Sequence, residues 1–334
     1  MLKCDLRFDD IVSVENLCAA WEEFIVGKKS KMDVCTFQRQ LTKHIMELHQ
    51  DLDTGEYRHG AYYEFRIADP KPRVIHKASV RDRLVHHAIH RTLYPFFDRL
   101  FIADSFACRQ GKGLHRAMRR FRDFSRKAGR NHSRTVWILK CDIRKFFASV
   151  DHLILLGLLR SRIEDDRIVT LLAKIILSFQ TQIGKGIPLG NLTSQLFANV
   201  YLNELDQFVK HGLHIPFYIR YADDFVFLDH SREGLRGLIP NIEKFLHREL
   251  RLSLHPSKIF VQTVASGIDF LGWIHFPHHR VLRTSTKKRM YARIREQPSY
   301  ETLQSYLGLL GHGDAHGLEQ QCLNDYWLWS TIHG

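Results

Sequence analysis

The sequence predicts an α+β fold centred on an antiparallel β-sheet, on three observations. The first is Tyr221-Ala222-Asp223-Asp224, set between the apolar, aromatic-rich runs Phe217-Tyr218-Ile219-Arg220 and Phe225-Val226-Phe227-Leu228. Two strand-like runs around so short a junction read as a β-hairpin with both acids at its turn. The second is Val136-Trp137-Ile138-Leu139-Lys140-Cys141, a further strand-like run, which ends in Asp142. The third is a set of apolar series at helical spacing elsewhere, such as Ile168, Leu171, Leu172, Ile175 and Ile176.

Taken in chain order, residues 1 to about 60 predict helices over 14–26 and 37–48. They are broken by Gly27-Lys28-Lys29-Ser30 and by Asp53-Thr54-Gly55. Leu114, Met118, Phe121 and Phe124 recur at near-helical spacing among Lys112, Arg116, Arg119, Arg120, Arg122, Arg126, Lys127, Arg130 and Arg134, with Asp123 the one acid between. That pattern predicts an amphipathic helix with a cationic outer face, suited to a nucleic acid or an acidic partner. Asp151 precedes Leu153, Leu156 and Leu159, and Asp165-Asp166 precedes the 168–176 series, so both read as helix openings. A helix follows over 192–209. Beyond the hairpin, 286–295 predicts another helix, Pro298 opens a second, and the Trp327 to Trp329 end packs onto them.

The formal net charge of +13 and the pI near 9.5 suit a polyanionic partner held largely through phosphates, and therefore salt-sensitively. The six cysteines are scattered, without zinc spacing or a disulfide framework. With a charged start and no apolar run of membrane length, a cytoplasmic protein is expected, with no membrane partner.

Adjacent carboxylates at the tip of a buried hairpin are costly unless a cation neutralises them, and a divalent metal is the simplest such cation. Asp142, at the end of a core strand, would complete a three-carboxylate cage for Mg²⁺, a hard, oxygen-seeking ion. Asp151 competes for that role, but the N-cap reading suits it better. Two metal ions roughly 3.5–4 Å apart in such a cage are what nucleotidyl transfer needs.

Asp142 through Asp151 together with the Tyr-Ala-Asp-Asp box resemble the reverse transcriptases of the bacterial retroelement and group II intron-like group. The resemblance extends, in family order, to 73–85, 105–113, His255-Pro256-Ser257-Lys258, Phe270-Leu271-Gly272-Trp273 and 305–312. It runs from about residue 65 to the C-terminus. It implies a right-hand polymerase fold: N-terminal helices and fingers over 1–135, palm over 136–275 with 152–185 returning to the fingers, and thumb over 276–334. It also implies an RNA-directed DNA polymerase with two Mg²⁺ ions (Mn²⁺ a substitute) on Asp142, Asp223 and Asp224, acting on dNTPs with template RNA and an RNA–DNA hybrid.

One segment narrows the likeness. In Gly186-Ile187-Pro188-Leu189-Gly190-Asn191-Leu192-Thr193-Ser194-Gln195, Leu189 stands where most of the family has glutamine and Gln195 where it has proline. That pair resembles the enzymes of diversity-generating retroelements, which copy a template-repeat RNA into cDNA with errors at adenines and work with a small, basic, multimeric accessory protein. Gly190 lets the backbone approach a nucleotide closely, and Leu189 removes a polar contact worth on the order of 1 kcal/mol.

The resemblance also assigns roles. Phe147 would lie beneath the sugar and clash with a 2′-hydroxyl, an ordinary core phenylalanine being the alternative. Lys258 would stand near the leaving pyrophosphate, as general acid or as a plain loop lysine. Arg73, Lys77 and Arg109 would grip the triphosphate. Lys112, Arg116, Arg119, Arg120 and Tyr221 would contact nucleic acid. Gly272 and Trp273 would support the primer end, although an aromatic–Gly turn in a core reads the same. His86, His87 and His90 on one helix and His278-His279 in a loop are expected to face the surface or RNA. Alternatives within reach are a retron or phage-defence reverse transcriptase and an RNA-binding splicing scaffold with a vestigial site. The chain leaves no room after the thumb for RNase H, endonuclease or maturase regions, so those activities are expected to come from elsewhere.

Overall fold

The computed structural model describes residues 2–68 and 72–333. Four short helices come first: α1 (Phe8–Val12), α2 (Val14–Ile25), α3 (Met32–Gln38) and α4 (Leu41–Asp53). Strands β1 (Tyr63–Ile67) and β2 (Arg73–Lys77) pair antiparallel, and α5 (Val80–Asp98) and the basic helix α6 (Leu114–Ala128) follow. Next come β3 (Trp137–Asp142), α7 (Phe146–Ser149), α8 (His152–Arg160), α9 (Asp166–Leu177) and α10 (Leu192–Gln207). The hairpin β4 (Tyr218–Tyr221) and β5 (Asp224–Asp229), α11 (Arg232–Leu250) and β6 (Phe260–Thr263) complete a four-stranded antiparallel sheet in the order β4-β5-β3-β6. A second antiparallel sheet, β7 (Ile268–Phe270), β8 (Trp273–His275) and β9 (Arg280–Leu282), leads into α12 (Thr284–Glu296), α13 (Tyr300–Leu310) and α14 (His316–His333).

The central sheet is buried on both faces, which is why its strands read as near-continuous apolar runs. Leu139, Cys141, Tyr218, Phe225 and Phe227 join the large core formed with α5, α10 and α11. Ile138, Ile219, Val226 and Leu228 point the other way, onto Phe121 and Phe124 of α6 and Phe270 of β7. This is the period-two alternation of a strand, run between two apolar layers. A third core of Trp273, Leu282, Met290, Ile294, Leu303, Leu310 and Cys322 holds α12–α14 together and reaches Met118 of α6.

Several expected elements hold. Asp151 caps α8 through the Leu153 and Ile154 amides, and Asp165 caps α9 through the Arg167 amide. The segment after α8 meets the N-terminal helices through the Phe8 amide on Asp165 and the β1 region through Tyr62 on Ser178.

Others need correction. The single helix expected over 37–48 is two, because the chain leaves helical geometry at Gln40. The Phe37 carbonyl at the end of α3 accepts the Gln40 amide, and the His44 ring nitrogen also lies 3.0 Å from it. At the C-terminal end Trp329 lies under the Arg295 guanidinium of α12, but Trp327 is 66% exposed. His86 is buried, with its Nε2 3.2 Å from that of His59, so it faces neither solvent nor RNA. His87 meets Phe24 edge-on and His90 stacks on Tyr94. No helix among the described residues is long and apolar enough to cross a membrane.

Candidate active site

Register brings the acids together. Asp142, at the end of β3, is the cross-strand partner of Asp224, the first residue of β5. Tyr221 pairs with Asp224 across the hairpin, leaving Ala222 and Asp223 as a two-residue turn. Ala222 takes a left-handed φ of +56°, a conformation that costs an alanine on the order of 1 kcal/mol. The turn is stitched to β3 by the Ile143 amide on the Asp223 carbonyl at 3.2 Å.

A buried network keeps the strained turn in place. Arg220 is fully buried and donates to both oxygens of Asp206 at 2.8 and 2.6 Å, to Ser105 Oγ at 2.9 Å and to Asn199 Oδ1 at 3.3 Å. It also donates to the Ala222 carbonyl at 3.2 Å, inside the turn itself. Tyr218 donates its hydroxyl to Asp206 at 2.8 Å. A buried charge survives only when paired in this way. The sequence reading missed Arg220, and its one signal was a charged residue inside an otherwise apolar strand.

Two lysines address the acids. Lys258 Nζ lies 2.8 Å from Asp142 Oδ1, held there because the His255 amide donates to the Asp142 carbonyl and brings 255–258 to the strand end. Lys140 was not foreseen as a site residue. It stands two positions before Asp142, and so on the same strand face. Its Nζ lies 3.1 Å from Asp224 Oδ2, donates to the Asp269 carbonyl at 2.7 Å and sits over the Phe270 ring. Asp224 Oδ1 is buried without a partner. Burial pushes Asp224 up to about 6, Lys140 pulls against this, and Asp142 and Asp223 add to the rise. Asp223 is raised by burial first and by Asp142 next, against Lys258 and Arg73.

An orphaned carboxylate oxygen and two acids pushed upward are the marks of a site short of positive charge, and hard oxygen donors fit a divalent metal. Among the described residues no three His, Cys, Asp or Glu side chains converge closely enough to hold a metal as they stand. Asp224 is turned to Lys140 instead.

Around the acids, Gly190 has φ +112°, and a β-carbon there would lie 2.6 Å from Ile75 Cγ2 of β2. The adjoining Leu189 accepts the His76 amide at 2.9 Å, and Asn191 donates to the His76 carbonyl at 2.8 Å, so the 189–191 loop is laced to β2. Leu189 and Gln195 are partly exposed. Phe147 is partly buried, edge-on to the buried Phe146 at 5.4 Å. Arg73 is exposed and its charge reaches Asp223. Tyr221 is partly buried against the α6-side core.

Four of the expected ligand-contacting side chains are engaged within the protein, and a fifth is buried in a core. Arg109 is 4% exposed and donates to Asp98, Ile102 and Ser105, so its guanidinium clasps its own loop rather than a triphosphate. Lys77 pairs with Asp33 at 2.6 Å, an acid it shares with Arg83. Arg120 pairs with Asp104 at 2.6 Å, and Lys112 donates to the Ala103 carbonyl over the Phe106 ring. Trp273 is 1% exposed and belongs to the third core. Gly272, at φ +86°, makes the turn and accepts the Arg283 amide.

A family model described as reverse transcriptase (RNA-dependent DNA polymerase) matches residues 68–275, the stretch that carries Asp142, Asp223, Asp224, Lys140 and Lys258. The chain belongs to the reverse transcriptase family. As a member it is an RNA-directed DNA polymerase. Among curated relatives, Protein YkfC of Escherichia coli (strain K12) is 26% identical, over 77% of this chain and 75% of its own length. Group II intron-encoded protein LtrA of Lactococcus lactis subsp. cremoris is 23% identical over 73% of this chain. This reverse transcriptase spans about half, 51%, of that relative's length.

Proposed function

We propose that this reverse transcriptase copies a template-repeat RNA into adenine-mutagenic cDNA, as in a diversity-generating retroelement. The observation that carries the reading is Leu189 in place of a polar residue, on a loop laced to β2 and next to the left-handed Gly190. A nucleotide seated against Gly190 meets an aliphatic side chain there, and a missing hydrogen bond lowers discrimination by about 1 kcal/mol, a factor of roughly five. The adenine bias comes from the family likeness, as does a small, basic, multimeric accessory protein.

In this reading Asp142, Asp223 and Asp224 would hold two Mg²⁺ ions, with Mn²⁺ a substitute. When bound, the ions neutralise the developing charge and lower the pKa of the attacking 3′-hydroxyl. Arg73 meets the triphosphate from β2. Phe147 stands beneath the sugar and excludes a 2′-hydroxyl. Lys258, within reach of Asp142, faces the leaving group. Lys140 holds one oxygen of Asp224 and, through the Asp269 carbonyl, keeps the β7–β8 turn against the palm sheet.

Primer extension on an RNA template with sequenced products tests this. Extension should vanish in Asp223→Asn, errors should cluster at template adenines, and Leu189→Gln should reduce them several-fold. Accurate copying by the wild type would leave a reverse transcriptase and remove the mutagenic reading.

A further inference from the structure

The structure divides the cationic surface of α6 into two stripes of different character. Arg116, Arg120 and Asp123 follow one helical line, continued ahead of the helix by Lys112, and that line is the more compensated: Arg120 pairs with Asp104, Lys112 donates to the Ala103 carbonyl and Asp123 lies within it, while Arg116 is exposed. His115, Arg119, Arg122 and Arg126 follow the other line and all are exposed. Among the described residues none of the three arginines on this second line forms an ion pair, and Arg126 donates to the neutral Asn131.

Arg280 and several histidines close on that line from other elements. A cavity of about 380 Å³ lies between α6, the β8–β9 turn and the α13–α14 turn, walled by Arg122, His278, His279, Arg280, His312 and Asp314. Arg280 donates to the His312 carbonyl and lies over Trp273, and the His312 ring packs at a tilt on His115 with ring centroids 3.7 Å apart. His132 meets His278 at a tilt, ring centroids 4.6 Å apart, near the far end of the line. Asp314 is the one carboxylate in the wall. It is exposed and forms no ion pair among the described residues.

Arg119, Arg122, Arg126 and Arg280 outnumber the nearby carboxylates of Asp123 and Asp314, and such an excess raises the free energy of a fold unless an anion belongs there. The crowding registers on the groups themselves. Burial and then Arg122 and Arg119 lower Arg280, while burial, His312, Arg280 and Arg119 lower His115. Burial, His278 and Arg126 lower His132.

From His115 to Arg126 the line runs roughly 16 Å at 1.5 Å per residue, further than one phosphate ion can bridge. A nucleic-acid strand presents a phosphate about every 3.4 Å along a duplex axis, so the line spans several.

We infer that His115, Arg119, Arg122, Arg126 and Arg280 form a phosphate-backbone clamp for a nucleic-acid strand, at the seam between α6 and the C-terminal helices and apart from the acids. The inference rests on the polymerase reading only for its ligand being a nucleic acid.

The test is equilibrium binding of fluorescein-labelled single-stranded RNA to the full chain by anisotropy across a KCl series, without dNTPs. Arg119→Gln/Arg122→Gln should weaken binding about tenfold. It should also flatten the slope of log K against log salt by about 1.4, since each single-strand contact contributes roughly 0.7. Lys112→Gln/Arg120→Gln, on the compensated line, should change affinity less than about twofold. Equal losses in the two pairs would mean a general charge effect and overturn the clamp, as would an unchanged Arg119→Gln/Arg122→Gln. If that variant instead keeps RNA but loses labelled polyglutamate, the surface takes an acidic protein and the clamp is wrong. Displacement of RNA by inorganic phosphate at constant ionic strength would reduce it to a single-ion pocket. Loss of extension in every protein with this binding pattern intact would sink the catalytic reading and leave the clamp standing.

Discussion

Arg220 and Phe147 are the two residues through which the site is most directly testable. Asp206→Asn leaves the Arg220 guanidinium fully buried with its charge partner gone, a change that costs about 3–5 kcal/mol in comparable sites. Urea unfolding should show that loss, and the extension rate should fall further than the dNTP KM rises, because Arg220 holds the Ala222 carbonyl of the hairpin turn that carries Asp223. A loss under about 1 kcal/mol would mean that the network relaxes around the change. Phe147→Val should raise the ratio of ribonucleotide to deoxynucleotide kcat/KM by at least about tenfold, the scale on which a pocket's steric fit discriminates. An unchanged ratio would assign the ring to the core, beside Phe146. The acids themselves were legible in the sequence because their strands are: a hairpin reading places Asp223 and Asp224, and a strand end places Asp142. Which arginine is structural was not. Arg109 and Arg220 look alike in sequence, and their partners Asp98, Asp206, Asn199 and Ser105 are set by tertiary packing across as many as 115 positions. The sequence reading accordingly credited Arg109 and passed over Arg220.

Helices and turns show the same division. The amphipathic pattern of α6 was readable, and Ala117, Met118, Phe121 and Phe124 are buried as that pattern requires. Its split into a compensated and an uncompensated stripe was not, because Asp104 and Arg280 approach from other elements. The break between α3 and α4 was equally hidden, since neither glycine nor proline marks it. The turn after α13 carries the element-scale prediction. A β-carbon on Gly313 would lie 1.9 Å from Trp273 Cζ3 and 2.6 Å from Cη2. Both contacts are closer than atoms tolerate, and an overpacked core costs roughly 1–3 kcal/mol. Gly313→Ala should therefore lift the α13–α14 turn from β8 and loosen the C-terminal helices. The central sheet should be spared, because its cores are separate from the one around Trp273. Limited proteolysis should then cut first within 276–334, leaving a resistant fragment that contains the strands of the central sheet. Wild-type resistance of that region in the variant would show that the seam yields without loosening.

At the scale of the whole molecule, charge and burial conflict as pH falls. The chain already carries a formal +13 with its histidines neutral, and acidification adds cations to a surface that repels itself. Four histidines sit where charging is resisted. Burial lowers His86 to about 3, and it lowers His87, His90 and His275 to about 4. Their folded-state values lie below the ordinary 6.5, so between about 4 and 6.5 the unfolded chain binds more protons than the folded one. Stability from these groups is complete above about pH 6.5 and drains away as pH falls toward 4. Three of the four lie on α5, packed against the N-terminal helices, and His275 lies under α6 near the base of the C-terminal helices, so acid loosens both ends of the molecule around the central sheet. The melting temperature should drop by about 5 °C or more between pH 7.5 and pH 5. His86→Phe should make that dependence shallower, because the variant has one less buried ring to protonate, even if its melting temperature at pH 7.5 is lower. A profile equally steep in wild type and variant would place the acid sensitivity in the net charge rather than in the α5 histidines, and added salt would then flatten both curves alike.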